Sequence, residues 1–322
     1  MTVALILGGL LLLLIGGEAV LRGAVGLSRW LGLPKTLVGV LIVGVGTSLP
    51  ETMIAIDSVI AGFSQIAVGN VIGANIANTM LVLAAAALVR PVVRPSLQLR
   101  AEGSILIGAS VLVLLFGLQG RIHAWQGLLM IGLLAMLMTF YFMRGALKSR
   151  KVSRLKPGLA LEKEIPTRPL VAVLLLLAGV GCLLFGADLL VENAVVIARQ
   201  IGVSEGLIGL TVISIGSTLP ELVSAVVAAF RKQADLAYGN LLGSFLFNLL
   251  GILGLASLIG TVTFPAVMVR IDGLVMIASV LLVFYFLHSK GELSRREAAA
   301  MIFFYILYVT ARYTYVILKV PM

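Results

Sequence analysis

The chain has 322 residues, of which 60% are hydrophobic and only 12% charged, and its mean hydropathy is +1.14. That balance excludes a soluble globular domain and describes a protein that crosses a bilayer many times. A formal net charge of +10 would suggest a nucleic-acid partner in a soluble protein. Here the lysines and arginines cluster between apolar runs, as topology signals do, so no nucleic acid is expected.

A helix crossing the hydrocarbon needs about 20 apolar residues, and the sequence supplies ten such runs. The first, 3–21, has no basic leader and is too long for a signal-peptide core, so it reads as a transmembrane helix. Glu18 and Arg22 are spaced i, i+4 and are expected to pair near its inner end. The second run, 36–61, carries Gly46-Thr47-Ser48-Leu49-Pro50-Glu51. Asp57 follows six residues later, either lining an approach path or solvated at the helix end. The third, 66–89, opens Gly69-Asn70-Val71-Ile72-Gly73-Ala74-Asn75 and reaches Asn78. The fourth and fifth runs are 103–119 and 122–143.

A polar loop, 145–168, follows with Lys148, Arg150, Lys151, Arg154, Lys156, Lys163 and Arg168. The sixth run, 169–190, holds the single cysteine, Cys182, which has no partner for an intrachain disulfide. Asp188 and Glu192 read as a hydrated helix end. The remaining runs are 206–230, 236–260, 271–288 and 298–318. Neither His123 nor His288 belongs to a motif, and both read as interface residues.

The seventh and eighth runs repeat the second and third. They read Gly216-Ser217-Thr218-Leu219-Pro220-Glu221, then Gly239-Asn240-Leu241-Leu242-Gly243-Ser244-Phe245 and Asn248, at a constant offset of 170 positions without a gap. The expected fold is therefore an all-α polytopic membrane protein. Residues 1–144 form one five-helix repeat, 145–168 a cytoplasmic linker and 169–322 the second repeat. Placing the basic loop in the cytoplasm leaves only Arg121, Arg199, Arg270, Arg312 and Lys319 of the 24 Lys and Arg on the other side. Five is odd, so the repeats enter the membrane from opposite faces, with both termini outside. Inverted repeats of this kind place the substrate site near the midplane, where helices are interrupted.

The interruption is written into the motif. Pro50 and Pro220 have no N–H, so the carbonyls of Gly46 and Gly216 lose their helical partners. At membrane depth, freed carbonyls must be buried in protein, line a cavity or bind something. Carbonyls, hydroxyls, carboxamides and two glutamates are hard oxygen ligands, suited to Ca²⁺, Na⁺, Mg²⁺ or Mn²⁺ rather than Zn²⁺ or Cu⁺. Asn70, Ala74 and Asn78 share a helix face, as do Asn240, Ser244 and Asn248; each face can lay oxygens beside the opposing glutamate, or its asparagines can stabilise helix packing by interhelical hydrogen bonds. A serine hydrolase using Ser48 or Ser217 would need a nearby His or Lys base, which neither motif supplies. The chain does not read as an enzyme.

These paired motifs, Gly-Thr/Ser-Ser/Thr-Leu-Pro-Glu followed by Gly-Asn-x-x-Gly-x-x-x-x-Asn, resemble the alpha repeats of the sodium/calcium exchangers, in the calcium/cation antiporter superfamily. The resemblance implies a ten-helix antiporter of prokaryotic type, in the cell (inner) membrane, exchanging Na⁺ for Ca²⁺ by alternating access. It further implies ions held between helices 2, 3, 7 and 8, no cofactor and no obligate protein partner. By that resemblance Glu51 and Glu221 clamp Ca²⁺, assisted by the carbonyls of Thr47 and Ser217. Na⁺ would use the Gly44 and Ser214 carbonyls, Thr47, Ser48, Ser217, Thr218 and the Ser244 hydroxyl. Asn78 and Asn248 would line the central position, while helices 1 and 6 slide past the rest.

Three positions depart from the pattern. Ala74 stands where a serine is usual, removing one hydroxyl from a Na⁺ site. Phe245 replaces an asparagine, read as a packing change, and Asn248 is an aspartate in some members, which argues against K⁺ cotransport. The missing hydroxyl keeps open an alternative of the same fold, antiport of Ca²⁺ or another divalent cation against H⁺.

Overall fold

The computed structural model describes residues 2–93, 99–153, 168–202 and 214–319. Most of the expected linker and the start of the seventh run lie outside the described residues.

Helix α1 spans Thr2–Leu31. A bent pair follows: α2, Lys35–Thr47, joins α3, Leu49–Ile60, at an angle of 44°. Helix α4 is Ser64–Val89, α5 Leu99–Gly117 and α6 Ala124–Ser153. The second half opens with α7, Pro169–Gln200, then the short α8, Ser214–Ser217, and α9, Leu219–Phe230. Helix α10 is Ala234–Ile259, α11 Met268–Ser289 and α12 Arg295–Lys319. Among the described residues, six helices are long and apolar enough to span a membrane: α1, α4, α6, α7, α10 and α11. The bent pair α2–α3 makes a seventh. Helix α1 continues ten residues past the expected end at 21, α7 past 190, and α6 runs to Ser153 into the expected linker.

The surface is apolar, unlike that of a soluble protein, and the largely apolar interior also encloses a set of polar groups. Leu7, Leu11, Leu128, Phe185, Phe303 and Phe304 are exposed, whereas Glu51, Asn75, Asn78, Glu221, Ser244 and Asn248 are buried. Lipid accounts for the first set; the second needs partners within the protein or a bound ion.

Helices α1 and α7 cross backbone to backbone. A Cβ at Gly9 would stand 2.8 Å from the Gly186 carbonyl oxygen, one at Gly16 2.8 Å from that of Gly179, and one at Gly23 2.7 Å from that of Ala172. Spaced seven residues apart, the glycines form one seam along the helix and permit this approach because nothing projects from it. The offset of 170 pairs Gly9 with Gly179 and Gly16 with Gly186, so the seam joins each helix to its own counterpart.

Among the described residues, four two-residue strands, absent from the sequence reading, tie the halves together. β1 (Val92–Val93) pairs antiparallel with β4 (Glu292–Leu293), and β2 (Arg121–Ile122) with β3 (Val262–Thr263). Each pair takes one strand from either side of residue 168. Gly120 and Gly291, both with φ of 76°, supply the left-handed turns that lead into β2 and β4. Helix α10 packs against α2, with the Gly239 and Gly243 backbones close against the carbonyls of Thr36 and Val40. That contact brings the two motif-bearing regions together.

Candidate functional site

Both signature motifs break their helices at the residue before Leu-Pro-Glu. Ser48 has φ −85° and ψ 14°, and Thr218 has φ −92° and ψ 0°. These bridge-region values interrupt the helix without reversing the chain. Leu49 and Leu219 then restart it with proline in the first turn, where a missing N–H costs nothing. Glu51 and Glu221 thus stand in the first turns of α3 and α9, close to the positive ends of those helix dipoles. The expected freed carbonyls at Gly46 and Gly216 therefore coincide with a true break.

The third element of each half is also irregular. Helix α4 loosens into a π turn at Asn78–Val82, and α10 into one at Phe247–Ile252, which contains Asn248. Such turns recur at functional sites. Neither was legible in the residue pattern, nor was the one at Gly39–Val43 in α2.

Thr47, Ser48, Glu51, Asn78, Thr218, Glu221, Ser244 and Asn248 are all buried, as is the Gly44 backbone. Ser217 is half-buried and Ser214 opens α8; the side chain of Ser214 lies outside the described residues. Contacts cross between the halves. Ser48 donates to Glu221 Oε1 at 3.3 Å, and Ser244 donates to the Gly44 carbonyl at 3.0 Å. Thr47 Oγ1 lies 3.3 Å from Asn240 Oδ1 and 3.1 Å from the Val43 carbonyl, so its single proton is shared between two acceptors. Glu51 and Glu221 are near enough to interact electrostatically.

Six polar atoms there have no protein partner: both carboxylate oxygens of Glu51, Oε2 of Glu221, both amide atoms of Asn78 and Oδ1 of Asn248. Elsewhere in the described interior only Tyr141 Oη and one Arg312 nitrogen share that condition. Five unpartnered carboxylate and carboxamide oxygens beside hydroxyls and main-chain carbonyls form a donor set for a hard cation. Among the described residues no cluster of three or more His, Cys, Asp or Glu exists, so any further ligands are neutral oxygens.

Asn70 Nδ2 donates to the main-chain carbonyl of Glu51 in its own half, at 3.2 Å. The sequence reading passed over Asn75, which bonds to Phe245 and Asn248, and the Thr79–Ser279 hydroxyl pair, at 2.7 Å. Asn75 sits inside the quoted motif, but the repeat has Phe245 at its place, so repetition gave no signal. Ser279 lies outside both motifs. Glu18 does pair with Arg22, at 2.8 Å, and additionally with Arg231, at 2.9 Å. Asp57, Asp188, Glu192, His123 and His288 are exposed.

Comparison with known proteins identifies the family. The family model described as "Sodium/calcium exchanger protein" matches residues 1–143 and 171–314. The Inner membrane protein YrbG of Escherichia coli is 33% identical over 260 residues, 80% of this chain and 79% of that protein. The Sodium/calcium exchanger MaX1 of Methanosarcina acetivorans is 26% identical over 353 residues, covering 95% of this chain and 96% of its own. A solved structure of the sodium-calcium exchanger NCX_Mj, soaked with zero Na⁺ and Ca²⁺, has the same fold. Its TM-score is 0.82 at 23% identity, over 96% of this chain and 98% of that one. Apolar spans, a buried oxygen-lined site and these likenesses converge: the chain is an integral membrane transporter, not an enzyme, and belongs to the sodium/calcium exchanger family.

Proposed function

We propose that the protein is a secondary antiporter exchanging Na⁺ for Ca²⁺ at one buried site shared by the two halves. The carrying observation is the pair Glu51 and Glu221, both buried, with three of their four carboxylate oxygens unpartnered. A carboxylate at membrane depth is costly and needs a partner, and a divalent cation between two of them supplies matching charge. In this reading Glu51 and Glu221 hold Ca²⁺ with the carbonyls of Thr47 and Ser217. Na⁺ is held by the Gly44 and Ser214 carbonyls with Thr47, Ser48, Ser217, Thr218 and Ser244, and Asn78 and Asn248 line the centre. Coupling follows from competition, because two negative charges do not neutralise both full ion sets at once.

The chain in this proposal crosses the membrane ten times as inverted repeats, 1–144 and 169–322, joined by the cytoplasmic linker 145–168. Both termini face out, in a prokaryotic inner membrane. The basic residues of the linker and the strand exchange between halves support it. The second reading, H⁺ in place of Na⁺, is favoured by Ala74. Ser244 gives its hydroxyl to the Gly44 carbonyl, and the mirror position has none to give.

Purified protein in vesicles loaded with Na⁺ and diluted into Na⁺-free buffer should take up ⁴⁵Ca²⁺. Uptake driven by a pH gradient alone, and indifferent to Na⁺, would establish the second reading and defeat the first.

A further inference from the structure

Asn75 has no role in the site as proposed, yet it is fully buried and both ends of its carboxamide are engaged with the other half. Nδ2 donates to the Phe245 main-chain carbonyl at 3.3 Å, and Oδ1 accepts from Asn248 Nδ2 at 3.1 Å. A carboxamide has a donor end and an acceptor end, which a half turn about its last bond exchanges. Here that freedom is removed, because a main-chain carbonyl only accepts. The Phe245 oxygen holds the NH₂ end of Asn75, so the oxygen of Asn75 faces Asn248. Asn248 must answer with its own NH₂ end, and its Oδ1 is left buried with no protein partner. One backbone oxygen thus sets the polarity of two side chains in series.

The mirror arrangement is missing. At the offset of 170, Asn75 corresponds to Phe245 and Asn78 to Asn248. Phe245 is buried and apolar, so Asn78 meets no carboxamide that would orient it, and both its amide atoms lack partners.

We infer that Asn75 is a positioning residue that fixes Asn248 as an oxygen donor to the transported cation, and that Phe245 leaves the opposite carboxamide, Asn78, free to turn. The two halves are therefore unequal at the centre. Asn248 presents oxygen whether or not an ion is present. Asn78, with neither end of its carboxamide held, has no such fixed polarity. The inference rests on the cation site proposed above, and it treats Phe245 as specificity-determining rather than as core filling alone.

The test is equilibrium binding of Ca²⁺ to the full-length protein in detergent, by calorimetry, so that it does not depend on transport. Asn75→Ala should raise the Kd for Ca²⁺ by about tenfold or more, the usual effect of removing a group that orients a metal ligand. In an Asn248→Asp background the same substitution should matter far less, because a carboxylate offers oxygen whichever way it turns. An unchanged Kd, or an equal loss in both backgrounds as general loosening would give, overturns the assignment. Should Asn75→Ala not fold, Asn75→Leu, which keeps the volume, replaces it. The wild-type protein with Sr²⁺ bound gives an independent reading. Asn248 ligating the ion while touching Asn75 supports the inference, and Asn248 turned from the ion overturns it. Wild-type protein that binds Ca²⁺ but does not exchange it with Na⁺ leaves this inference standing and removes only the exchange reading.

Discussion

Replacing Glu51 by glutamine removes a charge while keeping the shape of the side chain and one of its oxygens. Neither carboxylate oxygen of Glu51 has a hydrogen-bond partner in the protein, and the bond from Asn70 goes to the main chain, so the folded state loses no hydrogen bond. An ionised carboxylate at the centre of a membrane helix costs about 2.5–3.5 kcal/mol on insertion scales. Without divalent cation, Glu51→Gln should therefore be at least as stable as the wild type. With Ca²⁺ the order reverses. Binding to the folded state alone stabilises it by about 2.7 kcal/mol at a free concentration a hundredfold above Kd, and Glu51→Gln forfeits that gain. Thermal unfolding in detergent, followed by the fluorescence of Trp30 and Trp125, reads both effects in one Ca²⁺ titration. A Ca²⁺-dependent rise in Tm as large in Glu51→Gln as in the wild type would refute the reasoning.

Ala74→Ser restores the hydroxyl that Ser244 has in the other half, and should lower the Na⁺ concentration for half-maximal exchange; an unchanged value would show that position 74 does not meet Na⁺. At the α1–α7 seam, a Cβ on Gly179 would stand 2.6 Å from the Val20 nitrogen and 2.9 Å from the Gly16 oxygen, whereas one on Gly181 meets nothing within 4 Å. Gly179→Val should therefore destabilise by roughly 1–3 kcal/mol or more and Gly181→Val hardly at all, a contrast that Tm measurements check. Asp272 accepts from Arg312 Nε at 2.7 Å and Tyr308 Oη at 2.7 Å. Asp272→Ala removes the carboxylate facing the largely buried arginine and should destabilise, by less than the about 3–5 kcal/mol of a fully buried pair because Arg312 is partly exposed, and adding Arg312→Ala should recover much of that, as measured by the same unfolding assay.

What the residues made legible was the repeated, locally encoded part. The broken helices follow from Pro50 and Pro220, whose missing N–H is a property of the residue itself. Glu51 and Glu221 stood out because a charge inside an apolar run demands an explanation. Contacts joining the halves were not legible. The pairing of Val92 with Leu293 rests on backbone groups meeting across some 200 positions, with no residue type to announce it. The buried Glu102, which accepts from Tyr238 Oη at 2.9 Å, sits at a helix start where a solvated acid looks the same in sequence. Asn75 escaped for a different reason: comparing repeats finds what is doubled, and its importance comes from Phe245 breaking the doubling. Helix ends were overrun at α1, α6 and α7 because hydropathy marks where lipid contact stops, while these helices continue on their own hydrogen bonds beyond it.

The most direct measurement is diffraction from the full-length protein soaked in Sr²⁺, a Ca²⁺ surrogate with a strong anomalous signal. The account predicts one peak between α3 and α9, in contact with oxygens of both Glu51 and Glu221 at distances somewhat longer than the about 2.3–2.6 Å of Ca²⁺. A peak elsewhere with the two glutamates apart, or none under conditions in which the same protein binds the ion in solution, would contradict it.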